Sequence, residues 1–546
     1  MRLRSLTAIL LFADAAFGQL NSFPKPSYFR QTFSRPVTAV ELRPPAHLQD
    51  YVIDGKLELS LRSYLDLVMA NNTDIAIQRF TVSLAENAIT RAFAIFDPLA
   101  TGSFSSTRQT TPSSDSLQGA STLVQLSQPA NFGYQGTLPT GLQYNFNFYA
   151  QKLSTNNGFY SYNPALSANL GFSFVQPLLR NRGAYVNRLP ITTASSRLRK
   201  TRFDLRSSLL LLVSNAENIY WDAVLARENL RVAESARDLA DQALKRAQRE
   251  LDLGALSPLD IYNPQQQFAS AQLGVSQARF ALEQQENSMR RQMGADLDPQ
   301  IRKLPVVLTE NAAPETNAAS ADAEEEVKKA MATRPEIKSA VQNLDLDDLQ
   351  VSAARNELLP NRSLTGSYTS QGVGGVCYPT TFFNCGVANN LAVVPGGLGD
   401  VLGQVFGFGF PVYSFGLQLS LPLKNHQASA DLADAAVSKK RDALNVRTTQ
   451  QQVRLDVLNA VSQLESSRES VKLALVARDL AQKYLDAEQK KYELGTSQIF
   501  FVLQAQQALV SAESAVVQNA VNYRRNRMNL LRSTGELLEE RGIAVP

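Results

Sequence analysis

The stretch Met69-Ala70-Asn71-Asn72-Thr73-Asp74-Ile75 has a counterpart 262 residues later, Met331-Ala332-Thr333-Arg334-Pro335-Glu336-Ile337. The match extends outward, since laying Ser63 to Pro98 over Glu325 to Pro360 makes the two closing prolines coincide. Farther along, Thr101-Gly102-Ser103-Phe104 is matched by Thr365-Gly366-Ser367-Tyr368, and Leu253-Gly254 by Leu494-Gly495. Because the matches keep the same order, we interpret the chain as one structural unit used twice.

Each unit is predicted to contain a helix, strands, a long helix, a turn and a further helix. The first helix spans about 57–96 and stops before Pro98, because proline disfavours helical geometry in the residue before it. The long helices span about 187–252 and 425–493. At 1.5 Å per residue, about 65 residues make a helix roughly 100 Å long. The second long helix carries a predicted apolar seam of coiled-coil type at Leu473, Val476, Leu480, Tyr484 and Ala487.

The strand segments alternate apolar residues with small or polar, uncharged ones, as in 142–148, 166–174 and 413–421. A water-soluble sandwich gives the same period, but two or three strands per unit cannot enclose a core of their own. We therefore favour a barrel closed by several chains, with aromatic side chains toward lipid and polar ones toward a water-filled lumen. The predicted lipid-facing residues are Tyr144, Phe146, Phe148, Phe172, Phe174, Tyr413 and Phe415.

Two insertions leave the number of strands open. Residues 109–163 contain Pro139-Thr140-Gly141, around which an additional hairpin is one interpretation and a long loop the other. In the Gly-rich insertion 371–410, Gly372 to Gly375 is interpreted as a flexible loop. Cys377 and Cys385 in the same insertion are interpreted as a disulfide formed in an oxidising compartment, the alternative being two unpaired thiols.

The N-terminus reads as a secretory signal peptide, residues 1–18. Arg2 and Arg4 precede the apolar run Leu6 to Phe12, and Ala16-Phe17-Gly18 places small residues at the cleavage site. A short buried helix is the alternative. Past the signal we find no apolar run of the length that a membrane-spanning helix needs. The net charge of +4, without a basic stripe, argues against nucleic acid as a partner.

No catalytic motif is present. HExxH, GxSxG and the phosphate-binding GxxxxGK are all missing, and the chain has 2 histidines. His426 follows a predicted strand and is interpreted as a surface residue at a helix start. We expect neither an enzyme nor a cofactor or metal site.

The two helix–helix turns are the informative polar segments. One comprises Gly254, Ala255, Leu256 and Ser257, and the other Gly495, Thr496 and Ser497. Glycine suits the end of one helix, and Ser257 or Ser497 is predicted to cap the next, with Pro258 in its first turn. A turn at the tip of a long helical pair is well placed to dock a partner.

This ordered set of motifs resembles the TolC-type outer-membrane efflux proteins, also called outer membrane factors. The resemblance covers about 57–535 and is carried by the paired unit starts, by Gln176-Pro177-Leu178-Leu179 and by Tyr492-Glu493-Leu494-Gly495-Thr496-Ser497. It implies an α+β membrane protein, a homotrimer whose subunits each give four strands to a twelve-stranded barrel above a periplasmic α-helical tunnel. It also implies outer-membrane lipid, a periplasmic adaptor and an inner-membrane pump as partners.

The resemblance places the adaptor-docking tips on the two turns named above. The family's aspartates at the closed periplasmic mouth correspond to Phe501 and Gln504, so that acidic constriction is absent here. We hypothesise instead a ring of Phe500 or Phe501 with Gln504, to which Asp260 contributes charge. Ordinary packing of the phenylalanines between the last two helices is the alternative.

The expected function is a trimeric outer-membrane channel subunit, the passive exit duct of a tripartite efflux or type I secretion system gated at its periplasmic tip. The alternative is a periplasmic structural or adhesive coiled-coil protein. The expected organisation is 1–18 signal peptide, 19–56 extended segment, 57–296 first unit with strands within 98–177, 297–323 linker, 324–535 second unit with strands within 360–423, and 536–546 tail.

Overall fold

The computed structural model describes residues 47–113, 119–254, 257–296, 301–311, 322–377 and 396–544. The predicted signal peptide, most of the extended N-terminal segment and part of the 297–323 linker lie outside these ranges. The described residues form long helices and two sheets, an α+β architecture.

The elements of each half follow the predicted order of a helix, strands, a long helix and a further helix. Within the described residues the helices are α1 Leu61–Asn71, α2 Thr73–Ala92, α3 Ala184–Asn187, α4 Leu189–Asp252, α5 Tyr262–Gln292, α6 Ala323–Thr333, α7 Pro335–Glu357, α8 Leu398–Phe406, α9 His426–Glu493, α10 Ile499–Thr534 and α11 Leu537–Glu540.

The predicted single helix at 57–96 is wrong in its first part. Residues 57–59 belong to a strand, Lys56–Leu59, and the helix that follows is divided at Asn72. Asn72 has extended backbone angles, and its side-chain oxygen accepts the N–H groups of Asp74 and Ile75 at 2.9 and 3.2 Å. Asn72 therefore ends α1 and caps α2 as a new helix.

The two long helices agree closely with their predicted ranges. α4 has 64 residues and α9 has 68. Pro190 lies in the first turn of α4, where a missing N–H is harmless. Both helices end before a glycine with φ of +72°, Gly254 and Gly495, a left-handed conformation that disfavours other residues.

The predicted seam of α9 is not buried within the chain. Leu473, Val476 and Leu480 are 57–62% exposed, and Tyr484 and Ala487 are exposed as well. The buried residues of α9 lie on another face, which includes Val457, Val461, Val471 and Leu485. Within one chain, the seam residues therefore form an exposed apolar stripe, called the α9 stripe below.

A small sheet marks the main hydrophobic core. Strand β1 (Val52–Ile53) pairs with β2 (Lys56–Leu59), and β2 pairs in parallel with β8 (Val306–Leu308). The core beside it includes Tyr64, Tyr220 and Trp221, all less than 5% exposed. Leu537 and Leu538 of α11 are buried in the same core, so the C-terminal segment packs where a simple tail was expected.

The large sheet is antiparallel throughout. Its strands are β3 Leu99–Phe104, β4 Thr107–Pro112, β5 Thr122–Thr137, β6 Gln143–Thr155, β7 Tyr162–Pro177, β9 Asn361–Cys377 and β10 Pro411–Ser420. The order is β10-β9-β7-β6-β5-β3, and β4 continues β3 along the same partner strand β5. Within the described residues the sheet thus has six strand positions, with β10 at one edge and β3–β4 at the other.

One helix, α10, is long and apolar enough by length and composition to cross a membrane. This departs from the expectation that no such segment follows the signal peptide. One such helix carries little weight, because core helices of soluble proteins meet the same criterion. α10 packs along α9 and α4, and Val502, Leu509 and Val521 on its length are buried.

Candidate functional site: a two-faced sheet and the helical tips

An aromatic row crosses the large sheet. The cross-strand partners Tyr134, Phe146, Phe172, Tyr368 and Tyr413 stand side by side on five successive strands. The rings of Phe146 and Phe172 are 4.6 Å apart. Such pairs on neighbouring strands are the unit of sheet stabilisation. The row combines residues from both halves of the chain into one continuous apolar surface.

The next row toward the helices combines large rings with glycines. Tyr144, Phe174 and Phe415 share it with Gly136 and Gly366. A Cβ atom on Gly136 would lie 2.6 Å from the Tyr144 hydroxyl, and one on Gly366 would lie 2.4 Å from the Phe174 ring. Glycine is therefore required for these rings to lie across the neighbouring strand. All seven residues predicted to face lipid lie on this apolar face.

The opposite face is polar and uncharged in the middle of the sheet. One row there consists of Gln135, Asn145, Ser173, Ser367 and Ser414. The Ser367 and Ser414 hydroxyls are hydrogen-bonded at 2.8 Å. Short amides and hydroxyls of this kind bind water and carry no fixed charge.

The additional hairpin around Pro139-Thr140-Gly141 is present. β5 and β6 pair in register from Gln125↔Thr155 to Thr137↔Gln143. Gly141 has φ of +90°, and its N–H donates to the Leu138 carbonyl at 2.8 Å, which closes the turn. The sequence left a loop and a hairpin equally open, and the structure decides for the hairpin.

The first tip joins α4 to α5. Gly254 and Ser257 are exposed, whereas Ala255 and Leu256 lie outside the described residues. The prediction that Ser257 and Pro258 begin the next helix is wrong, because α5 starts at Tyr262. The Ser257 hydroxyl instead accepts the Leu259 N–H at 3.3 Å within the turn. Two leucines beside the turn, Leu253 and Leu259, are 83% and 76% exposed.

The second tip joins α9 to α10. The N-cap of α10 is Gln498, so Ser497 does not cap this helix as predicted. The Ser497 hydroxyl instead donates to the Glu488 carboxylate at 3.0 Å, and the Lys491 ammonium donates to the same carboxylate at 2.6 Å. The Lys491 ammonium, together with the Ser497 hydroxyl, holds the pKa of Glu488 below its ordinary value. Thr496 is held by its N–H to the Lys491 carbonyl at 3.0 Å.

The two tips are connected to each other. The Tyr492 hydroxyl of the second hairpin donates to Glu250 of the first, and the Arg246 guanidinium lies 5.0 Å from the centre of the Tyr492 ring. Burial and the contact with Glu250 raise the pKa of Tyr492 to about 12. A small apolar cluster that includes Ile261 and Ile499 packs directly beside this contact. The helical hairpins α4–α5 and α9–α10 therefore present their two tips to solvent as one connected surface.

The residues predicted to form a constriction lie near these tips and are exposed in the single chain. Phe500 and Phe501 are 53% and 43% exposed, and their rings are 5.6 Å apart. Gln504 and Asp260 are exposed as well. Val502 and Leu503, by contrast, are buried, so the phenylalanines lie on the outward side of α10.

Within the described residues, no group of three or more His, Cys, Asp or Glu side chains is arranged to hold a metal ion. His426 is the exposed first residue of α9, as predicted.

Sequence reasoning missed the helix α8 and the structure of the glycines beside it. Gly372 to Gly375 belong to strand β9 and not to a flexible loop, because α8 packs directly on them. Glycine weakens a strand, and several glycines within one strand often mark a place where another backbone approaches closely. This glycine pattern was the sequence signal that could have predicted α8. Cys377 at the end of β9 is disulfide-bonded, and Cys385 lies outside the described residues, so the predicted pair stays a prediction.

Comparison with known proteins gives the class. Residues 327–536 match the family model described as outer membrane efflux protein. The chain is 22% identical over 334 residues to the probable efflux pump outer membrane protein TtgC of Pseudomonas putida. It is 23% identical over 336 residues to the pyoverdine export outer membrane protein OpmQ of Pseudomonas aeruginosa. Each alignment covers 60% of this chain and 61% of the relative.

Solved structures show the same fold over more of the chain. The CmeC outer membrane channel of Campylobacter jejuni superposes with a TM-score of 0.59 at 17% identity, covering 90% of this chain and 88% of that one. CusC superposes with a TM-score of 0.61 at 15% identity, covering 90% and 95%.

The fold is that of solved outer-membrane channels such as CmeC, and the sequence relatives are named as outer membrane proteins. Over residues 327–536 and in the order of its motifs, the chain resembles the TolC-type outer membrane efflux protein family. Members of this family are channel proteins rather than enzymes.

Proposed function

We propose that three copies of this chain form an outer-membrane channel, the passive exit duct of a tripartite efflux or type I secretion system. The observation that carries the proposal is the large sheet, which has one aromatic face, one uncharged polar face and, among the described residues, two edges without a strand partner. Hydrocarbon cannot satisfy free backbone N–H and C=O groups. A sheet in the membrane must therefore close on itself or on further copies.

The directions of the edge strands suit closure by further copies. Six antiparallel positions make β10 and β3 run in opposite directions. β10 of one copy can thus pair antiparallel with β3 of the next. β10 has 10 residues, which matches the roughly 9–11 residues that cross the hydrocarbon core. Three copies of six strands make eighteen, where the family resemblance implies twelve, and the β5–β6 hairpin supplies the difference.

The helices support assembly for a separate reason. The α9 stripe is apolar and exposed, and Ile77, Phe80 and Leu84 on α2 are 54–67% exposed. Contiguous exposed apolar surface on a protein marks an interaction surface. In the proposed trimer these faces pack against the long helices of neighbouring copies, which would form the periplasmic α-helical tunnel as a coiled coil of repeated units.

The tips supply the proposed docking and gating elements. The exposed Leu253, Leu259 and Leu494 flank the two turns and offer an adaptor protein an apolar contact. Phe500 or Phe501 with Gln504 would form a ring near the axis, with Asp260 beside it. The names of TtgC and OpmQ both describe export components, which favours export as the direction of transport for this chain.

The deciding experiment is the native mass after detergent extraction of the outer-membrane fraction. We expect a trimer that is recovered only with detergent. A monomer or dimer released without detergent from the periplasm would contradict the channel and favour the structural coiled-coil alternative.

The aromatic ring is tested by single-channel conductance of the purified trimer. Phe501→Ala is expected to raise the conductance of the closed state, because it removes a ring from the constriction. Phe280→Ala is the matched control. It truncates an exposed phenylalanine in the middle of α5, away from the first tip, and should leave conductance unchanged. Equal conductance of both variants would return Phe501 to ordinary packing.

A further inference from the structure

The helix α8 lies on the apolar face of the large sheet, farther from the long helices than the aromatic rows. Val401 and Val405 on its inner side are fully buried against Ala168, and Phe148, Ala150, Leu166 and Leu170 surround this contact. The sheet rows beneath it contain small residues, among them Ala130, Ala150, Ala168 and Gly372. Where the aromatic rows would collide with a helix, the sheet thus provides room for one.

The glycines of β9 make this close approach possible. A Cβ atom on Gly372 would lie 2.4 Å from the Val401 carbonyl oxygen, and one on Gly374 would lie 2.6 Å from a Val401 methyl group. Backbone atoms cannot move aside as the end of a flexible side chain can. Any larger residue at Gly372 would therefore displace α8.

Directed hydrogen bonds fix α8 along the part of β9 that β10 does not reach. The Gln404 carboxamide accepts the Val373 N–H and donates to the Val373 carbonyl, each at 3.0 Å, as a neighbouring strand would. The Ser370 hydroxyl donates to the Val405 carbonyl at 2.7 Å. The Gln371 N–H donates to the Phe410 carbonyl at 3.1 Å. α8 is therefore a fixed part of the sheet edge.

The outer side of α8 and the segment after it are apolar. Leu398, Phe406 and Phe408 are 53–55% exposed, and Phe410 is 37% exposed. Phe406 stacks on Phe148 with ring centres 6.5 Å apart, which makes its surface continuous with the aromatic face. Residues 396–423 contain one charged side chain, Asp400, whose carboxylate accepts the Gly397 N–H at 3.0 Å at the helix start.

We propose that α8, with Phe406, Phe408 and Phe410, is a lipid-binding element whose outer side chains insert among the acyl chains of the membrane. The inference rests on the proposed function, because it takes the apolar face of the sheet to meet lipid. Lipid is the occupant that these observations favour, since the surface continues the aromatic face, is all but uncharged and is held rigidly to the sheet. An apolar helix face at this position is suited to the membrane interface.

The test is tryptophan fluorescence in vesicles of phosphatidylcholine brominated on its acyl chains, compared with unbrominated vesicles. Three variants of the full chain are used: Phe406→Trp on α8, Phe415→Trp on the apolar face of β10, and Gln418→Trp on its polar face. The native Trp221 is 4% exposed within the helical core and gives a constant background. We expect loss of the added emission for Phe406→Trp and Phe415→Trp, and none for Gln418→Trp.

Quenching at position 415 without quenching at position 406 would overturn the inference and leave the channel intact, because protein and not lipid would then cover α8. Absence of quenching at both positions would contradict the proposed membrane sheet itself, and the inference with it. Adding Gly372→Val to Phe406→Trp should weaken the quenching at position 406 by displacing α8. The same substitution added to Phe415→Trp should leave its quenching unchanged.

Discussion

The helical core and the large sheet treat their aromatic residues in opposite ways. Around the small sheet, Tyr64, Tyr220 and Trp221 are buried inside one chain. In the large sheet, Tyr413 and Phe415 are 70% and 75% exposed on an apolar face. The helical core buries its apolar side chains within one chain, whereas the apolar face of the large sheet needs lipid or further copies of the chain to cover it. An apolar face that is exposed in the single chain therefore indicates which surface lipid or another copy of the chain covers.

The largest expected effect is in the self-sufficient region. Glu217 is buried and accepts two hydrogen bonds from Arg541, at 2.6 and 3.0 Å. Arg541→Ala leaves that carboxylate buried without its cation, which costs about 3–5 kcal/mol. Chemical denaturation followed by far-ultraviolet circular dichroism measures the loss.

The matched control for that variant is Arg206→Ala. Arg206 also joins α4 to the C-terminal segment, but its partner Glu539 is 70% exposed. An exposed pair of this kind contributes about 0–1 kcal/mol. Similar losses for both variants would show that burial does not distinguish the two ion pairs.

The second prediction concerns the sheet. Phe172→Arg places a charge in the aromatic row, which in lipid costs about 2–4 kcal/mol near the bilayer midplane. Ser173→Arg places the same charge one residue away on the polar face and should have little effect. The folded fraction after refolding into vesicles measures both, and equal losses would contradict the assignment of the faces.

A third, smaller effect is expected for the α9 stripe. Leu480→Arg removes a leucine contact between copies worth about 1.5–3 kcal/mol, while the single chain should fold normally because Leu480 is 59% exposed. Gln482→Arg, also exposed but off the stripe, is the control. Native mass at decreasing protein concentration should show early dissociation for Leu480→Arg alone. A trimer unaffected by Leu480→Arg would remove the stripe from the interface.

The smallest effect is a pH dependence at the second tip. Because the folded pKa of Glu488 lies below its ordinary value of 4.5, its contacts with Ser497 and Lys491 stabilise the turn fully above that value. This stabilisation is lost as the pH falls through the lowered pKa. The protection factors against hydrogen exchange at residues 494–498, which correct for the intrinsic pH dependence of exchange, should fall on acidification in the native chain. Glu488→Gln, which cannot ionise, should show a weaker pH dependence in the same range.

Several features of the fold follow from local sequence. The starts of the two long helices were predicted to within two residues, and their ends were predicted correctly. The ends were predictable because Gly254 and Gly495 follow them and the helix interiors lack proline. Alternation in 142–148, 166–174 and 413–421 placed all seven predicted aromatic residues on one face of the sheet, since a strand has a side-chain period of two. The resemblance to the efflux family rested on the order of such local signals, and the comparisons confirm it.

Tertiary structure alone decided the rest. The division of the first helix at Asn72 depends on a side chain that accepts the Asp74 N–H and also donates to Gln292, 220 residues away. The β5–β6 hairpin and α8 depend on contacts between distant strands, and local composition in those insertions suited a loop equally well. Which apolar stripe of α9 is buried is likewise set by its neighbours. Periodicity shows that a face is apolar, but only the packing of the chain shows what covers it.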